Sequence, residues 1–271
     1  MTLHEVKRPE SQAQTRELTR REFVKLALGM GATLLAAERL RGWYVAHDNP
    51  LEAVAGHNGD GPFWAMVIDL GACIGCRRCV YACQATNDTA SDHLWNVVLH
   101  DENTFDQPVF MPRPCMHCEH APCVEVCPVG ATYHREDGLV AMDYDRCIGC
   151  RYCMVACPYG SRVFNWESNA APNPQVPTWG TPEVERRPRG VVEKCTFCVH
   201  RLDKAAERGL RPGYDREATP ACCVVCTTEA RVFGDLHDLA SPAARAMVGR
   251  QAVVLRPELG THPRVYYLLP V

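Results

Sequence analysis

An α+β fold built from two small, duplicated ββ-plus-helix units, with insertions, is what this 271-residue sequence predicts. Three observations carry that expectation. A cysteine run of the form C-x2-C-x2-C-x3-C occurs twice, and sixteen of the 17 cysteines fall into four such groups or variants of them. Between the second and third groups, Ala131–His134 and Leu139–Asp143 flank Glu136-Asp137-Gly138, the chemistry of a tight hairpin turn.

The first element is a strand. Phe63–Leu70 alternates in a way that leads directly into the first cysteine group. Motif I is Cys73-Ile-Gly-Cys76-Arg-Arg-Cys79-Val-Tyr-Ala-Cys83, and motif III repeats its spacing as Cys147-Ile-Gly-Cys150-Arg-Tyr-Cys153-Met-Val-Ala-Cys157. Motif II, with Cys115, Cys118, Cys123 and Cys127, widens the middle gap. Motif IV is split: Cys195 and Cys198, a 23-residue insertion, then Cys222-Cys223-Val-Val-Cys226. Every other motif ends in C-x3-C, so Cys222 and Cys226 are read as the working pair and Cys223 as a spare, small core residue.

Three explanations compete for so many cysteines: disulfides, zinc and iron–sulfur clusters. A structural zinc site wants four ligands on one ion, usually as two well-separated knuckles, whereas motifs I and III each pack four cysteines into eleven residues. Disulfides explain neither the repeated spacing nor the prolines after Cys127 and Cys157. The C-x2-C-x2-C-x3-C run is the signature of bacterial two-cluster ferredoxins. The expected architecture is therefore two duplicated bacterial-ferredoxin-like two-cluster units. Four complete motifs predict four [4Fe–4S] clusters, and Gly75 and Gly149 are read as giving the loops close approach to the cluster sulfides. No C-x-x-C-H occurs, so attached c-type haem is not indicated.

The remaining segments are read as follows. Residues 1–55 form an export signal and linker, with Arg20-Arg21 directly before the apolar stretch Leu26–Ala37, a signal of the twin-arginine type. That stretch is too short to span a bilayer, which takes about 20 apolar residues; Ala53-Val54-Ala55 has the small residues of a cleavage site. Residues 60–109 with 190–238 make the unit of motifs I and IV, and 110–169 that of motifs II and III. Residues 170–190 are a polar, proline-rich insertion carrying Arg186, Arg187 and Arg189, read equally as a partner-contacting loop or a solvated one. A helix is expected near Val199–Glu207, and 239–271 reads as a tail packed on the core or a neighbour.

Little else suggests chemistry. A formal charge of −3 gives no ground for a nucleic-acid partner. There is no paired-carboxylate arrangement, phosphate-cradling loop or nucleophile motif. His117 and His120, inside motif II, are candidates to hydrogen-bond cluster sulfur, although His120 reads equally well as an exposed loop residue. Four lysines stand among 29 basic residues, a skew given no functional weight.

From about Trp64 to Asp238 the chain resembles the four-cluster, ferredoxin-type electron-transfer subunits of molybdopterin oxidoreductases and related membrane complexes. These include the iron–sulfur subunits of dimethyl sulfoxide, polysulfide, tetrathionate and nitrite reductases, formate dehydrogenases and some periplasmic hydrogenases. Val67-Ile-Asp-Leu, the Cys115–Pro158 block, Glu193-Lys-Cys-Thr-Phe-Cys198 and Phe233-Gly-Asp235 carry the resemblance. It implies a non-catalytic wire between a molybdopterin catalytic subunit and a polytopic, quinone-reactive membrane subunit on the outer face of the membrane. A hydrogenase- or cytochrome-linked wire and a freestanding exported polyferredoxin are the alternatives. In a two-cluster ferredoxin the fourth cysteine of each motif crosses to the other cluster. Motifs II and III adjoin and both end in Cys-Pro; motifs I and IV, with Gln84 and Thr227 there instead, are left to pair. The resemblance implies the same arrangement. The expected sets are Cys73/Cys76/Cys79/Cys226, Cys195/Cys198/Cys222/Cys83, Cys115/Cys118/Cys123/Cys157 and Cys147/Cys150/Cys153/Cys127.

Overall fold

Strand β1 (Trp64–Asp69) is the backbone of the molecule in the computed structural model, which describes residues 61–102, 108–168 and 171–270. The expected export signal and its arginine pair lie outside the described residues. β1 is buried on both faces, and its period of two divides its side chains between two cores. Met66 and Ile68 face the cysteine-bearing side with Tyr267 and Phe233. Ala65 and Val67 face the other side, against Leu236, Tyr266 and Met247.

β1 sits second in a four-stranded sheet whose order is β8 (Arg231–Asp235), β1, β10 (Val265–Leu268) and β9 (Ala252–Val253). It pairs antiparallel with β8 and parallel with β10, Met66 lying opposite Phe233 and Val265. β10 in turn pairs with the short β9. Residues 239–271 are therefore more than a packed tail: they supply a central strand. Between β8 and β9, helix α6 (Pro242–Met247) covers the second core; Ser241 caps it, its hydroxyl accepting from the Ala244 N–H at 3.1 Å.

The elements between β1 and β8 are short. After motif I comes α1 (Arg78–Asn87), then an antiparallel ribbon of β2 (Val97–Asp101) and β3 (Val109–Arg113). Helix α2 (Pro122–Glu125) carries Cys123. The expected hairpin is present as β4 (Thr132–His134) and β5 (Val140–Met142), turned by Gly138 at φ +75°. Helix α3 (Tyr152–Ala156) follows motif III. β6 (Arg162–Phe164) then pairs with β7 (Val192–Lys194), tying the segment of motifs II and III to that of motif IV. Helix α4 (Val199–Arg208) matches the expected insertion helix, and α5 (Ala221–Val224) presents Cys222. No helix among the described residues is long and apolar enough to cross a membrane.

The polar insertion is neither a solvated loop nor a free contact surface in its middle and end. Its residues are anchored on the C-terminal end of α1. The Asn173 amide donates to the Gln84 carbonyl (2.9 Å), and Arg186 pairs with Asp88 (2.6 Å). Arg187 reaches the carbonyls of Asn87 and Asp88 and pairs with buried Glu193 on β7 at 2.9 Å. Burial alone would raise the Glu193 pKa, but His93 and Arg187 outweigh it and hold the carboxylate below its ordinary range. Composition marked this segment as loop, and composition cannot see the buried Glu193 that the arginine answers.

Candidate metal centres

The cysteine loops share one local geometry. In each C-x-x-C the residue before the second cysteine is left-handed: Gly75 at φ +68°, His117 at +45°, Gly149 at +68° and Phe197 at +54°. That turn folds the loop back on itself so that its cysteines face one space. Glycine is needed at two of these positions, which line the cysteine cavities, and the fold adds a steric reason. A Cβ on Gly75 would run into the Phe110 ring, and one on Gly149 into the Gly190 carbonyl oxygen. His117 and Phe197 bear the conformation's cost of about 1–2 kcal/mol and stack on each other, ring centroids 4.0 Å apart.

All 17 cysteines are free, and sixteen gather in four groups of four. Cys73, Cys76 and Cys79 line a cavity together with Cys226, from the far end of motif IV. Cys147, Cys150 and Cys153 line a second cavity with Cys127. Cys83 is fully buried, and burial followed by its neighbours Cys195, Cys198 and Cys222 pushes its thiol well above the ordinary value. Cys118 is likewise pushed up to about 12 by burial, with Cys115, Cys123 and Cys157 adding to it. Cys226 and Cys83 thus cross between motifs I and IV, and Cys157 and Cys127 between motifs II and III.

Four buried thiols in mutual repulsion are stable as thiolates only around a cation. A tetrahedral zinc site made of four cysteines needs its sulfurs converged about 2.3 Å from one point. Here they are spread around a cavity, and no three His, Cys, Asp or Glu side chains among the described residues come together for a single ion. Four cysteines set around a shared space are the donor set that an iron–sulfur cluster takes. At Cys127 the surroundings favour thiolate: burial would raise its thiol, but the backbone N–H groups of Thr132, Val129, Ala131 and Gly130 more than offset it. Cys223 donates to Cys222, which lowers the Cys222 thiol and raises that of Cys223, leaving Cys223 as the protonated member of the pair.

The electrostatic neighbours of the cysteines link the groups one to the next, in a file. Burial and then the neighbouring thiols Cys222 and Cys115 push Cys195 up to about 12, so the Cys195 group borders the Cys115 group. Arg231 bears on both Cys222 and Cys79, and Arg162 on both Cys123 and Cys153, marking the two outer junctions. Cys76 and Cys150, in the outermost groups, are exposed.

His117 does not serve sulfur. Its Nδ1 accepts from the Val140 N–H (3.2 Å) and its Nε2 lies 3.0 Å from the Cys195 carbonyl, so both ring nitrogens are spent on backbone. Burial lowers its pKa well below the ordinary value and keeps the ring neutral. His120 is exposed, its ring edge-on to His262. Other side chains do reach sulfur: Thr228 Oγ1 lies 3.8 Å from Cys226 Sγ, and Asn87 joins two sulfurs, its amide donating to Cys83 Sγ at 3.7 Å and Cys198 Sγ at 3.8 Å. Its place one helical turn after Cys83 was the available signal.

Comparison with known proteins agrees with this site. The 4Fe-4S dicluster domain family matches twice, over residues 68–131 and 106–175. The chain is 44% identical to the iron–sulfur cluster-binding subunit of menaquinone reductase of Nitratidesulfovibrio vulgaris, covering 76% of this chain and 88% of the relative. It is 40% identical to the B subunit of selenate reductase of Mesobacillus selenatarsenatis, over 76% and 71%. It is also 40% identical to the B subunit of tetrathionate reductase of Salmonella typhimurium, over 76% and 72%. The chain belongs to the family of [4Fe–4S] iron–sulfur subunits that carry electrons, without catalysing substrate chemistry themselves, in multisubunit reductase complexes.

Proposed function

We propose that this chain conducts electrons through four [4Fe–4S] clusters, between a molybdopterin catalytic subunit and a quinone-reactive membrane subunit. The ligand sets are Cys73/Cys76/Cys79/Cys226, Cys195/Cys198/Cys222/Cys83, Cys115/Cys118/Cys123/Cys157 and Cys147/Cys150/Cys153/Cys127. The observation that carries the reading is the exchange of Cys226 and Cys83 between two motifs more than 100 residues apart. A clip of that kind is the ligand exchange of paired clusters in two-cluster ferredoxins. Relatives named for selenate, tetrathionate and menaquinone reductases support a place between a substrate-reducing subunit and the quinone pool. Each bound cluster supplies one-electron storage; the chain's residues hold it, exclude water from the inner two and expose the outermost cysteines where partners dock.

Anaerobically purified protein should contain about 16 iron and 16 acid-labile sulfide per chain. A count near 12 means that one motif does not load. The chain acts on the outer face of the membrane, with the Arg20-Arg21 pair as the supporting observation. Replacing both arginines with lysine should retain the protein in the cytoplasm; a double variant still recovered in the periplasm overturns the export reading.

A further inference from the structure

Three basic side chains among the described residues are buried without a carboxylate. Lys194 is 0% exposed, Arg231 2% and Arg162 6%. Lys194 Nζ donates to the Cys195 carbonyl at 2.8 Å. Arg231 donates to Asn96 Oδ1 and Met66 Sδ, both at 3.0 Å, and Arg162 to Thr132 Oγ1 and Met142 Sδ, both at 3.2 Å. All these acceptors are neutral. Nε of Arg231 and Nη2 of Arg162 are buried with no hydrogen-bond partner among the described residues. The other buried arginines behave differently: Arg187 faces Glu193 and Arg264 faces Glu119. An isolated buried charge is far too costly to persist unanswered. Among the described residues, the negative groups that bear on all three are cysteine thiolates.

Their positions are systematic. Arg231 lines the cavity of Cys73, Cys76, Cys79 and Cys226, and its charge bears on Cys79 and Cys222. The charge of Lys194 bears on Cys115 and Cys195. That of Arg162 bears on Cys123 and Cys153. Each cation therefore stands at one of the three junctions of the file, with a group on either side, and no junction lacks one. Arg201 also nears Cys198, but it is tied to Glu183.

We propose that Arg231, Lys194 and Arg162 are positioning residues for electron transfer, each one fixing the reduction potentials of the two clusters that flank it. This rests on the four-cluster reading above. Reduction adds one negative charge to a cluster already held by four thiolates. A cation fixed nearby in a low-dielectric interior stabilises the reduced form and raises the potential. Because each cation is shared, it moves its two neighbours together, and so keeps the level of successive stations matched along the file.

The test is potentiometric titration, followed by EPR, of the full chain isolated anaerobically in its complex, with iron and sulfide counted on the same samples. Lys194→Met should lower the potentials of the Cys195 and Cys115 clusters by at least tenfold in the reduced-to-oxidised ratio at fixed potential. That corresponds to about 59 mV for a one-electron couple. The two outer clusters should move much less. Arg231→Gln should instead shift the Cys73 and Cys195 clusters, and Arg162→Gln the Cys115 and Cys147 clusters. Lys194→Arg, Arg231→Lys and Arg162→Lys should stay close to the native potentials. Fully loaded neutral variants with unchanged potentials overturn the proposal, as do equal shifts in all four clusters or equal shifts in neutral and charge-conserving variants. If the neutral variants lose iron while the charge-conserving ones keep it, the cations serve assembly and the tuning role falls. A deficit of iron in the native chain instead overturns the four-cluster reading.

Discussion

A methyl group on Gly149 would run into the Gly190 carbonyl oxygen, an atom of the backbone that cannot swing aside. The residue is also left-handed, which alone costs an L side chain about 1–2 kcal/mol. Gly130 has the same handedness (φ +64°) with nothing within 4 Å. Gly130→Ala should therefore lose only about 1 kcal/mol, while Gly149→Ala should lose more than twice that and release iron from the Cys147 group first. Thermal midpoints and iron retention of the two variants, measured side by side, check this; equal losses would mean that the close approach to Gly190 has no energetic weight. The two glycines look alike in sequence. What separates them is a neighbour some forty residues on, brought near by the β6–β7 ribbon. His117 teaches the same point in reverse: its place in motif II suggested a sulfur contact, yet the left-handed backbone at that residue turns the ring onto Phe197 and the backbone of Val140 and Cys195. Lys194 was visible as one of four lysines, but only the fold reveals that its surroundings contain no carboxylate.

Among the elements, the loop that closes on α1 has an energetic centre in Arg187. Removing one partner of a buried ion pair leaves the other charge uncompensated, at about 3–5 kcal/mol. His93 and Trp95 still serve Glu193, at 3.3 and 3.1 Å, which places Arg187→Met near the lower end. For a chain of this size that is a fall of roughly 6–12 °C in thermal midpoint. Adding Glu193→Gln to Arg187→Met should recover part of the loss, since the stranded carboxylate is then gone; a double variant less stable than the single one contradicts this account. Local elements were readable beforehand where local chemistry specifies them. The β4–β5 hairpin follows from Asp137-Gly138, and α4 from its run of helix formers ending at Gly209, a left-handed cap at φ +66°. β10 was not readable as a central strand. Val265–Leu268 is a short apolar run, and nothing local says that its neighbour is β1 rather than a surface.

At the scale of the whole molecule, two kinds of long-range closure coincide. The cysteine exchange joins motif I to motif IV, and β10 joins the end of the chain to its first described strand. The exchange was expected from the ferredoxin spacing together with the Cys-Pro endings of motifs II and III and the family resemblance; the sheet was not legible, because strand partners separated by some 200 residues leave no periodic trace. The sheet also carries the exchange, since β1 leads into Cys73 and β8 begins five residues after Cys226. Deleting 239–271 should therefore damage more than a tail. The truncated chain is expected to be insoluble or to retain less than half its iron, the Cys73 and Cys195 groups being lost together. Iron analysis and sedimentation of the truncated protein check this, and a soluble, fully loaded truncation would show that β1 and β8 suffice.

The parallel pairing of β1 with β10 also has a consequence in time. Met66 and Val265 are register partners, and the 198 residues between them must be synthesised first. At about 5–20 residues per second, a nascent chain spends roughly 10–40 s with β1 made and its partner not yet in existence. Throughout that interval an apolar strand has an open edge, the condition in which it pairs with another chain. Of the whole synthesis, this is the period in which a holding chaperone has the most to protect.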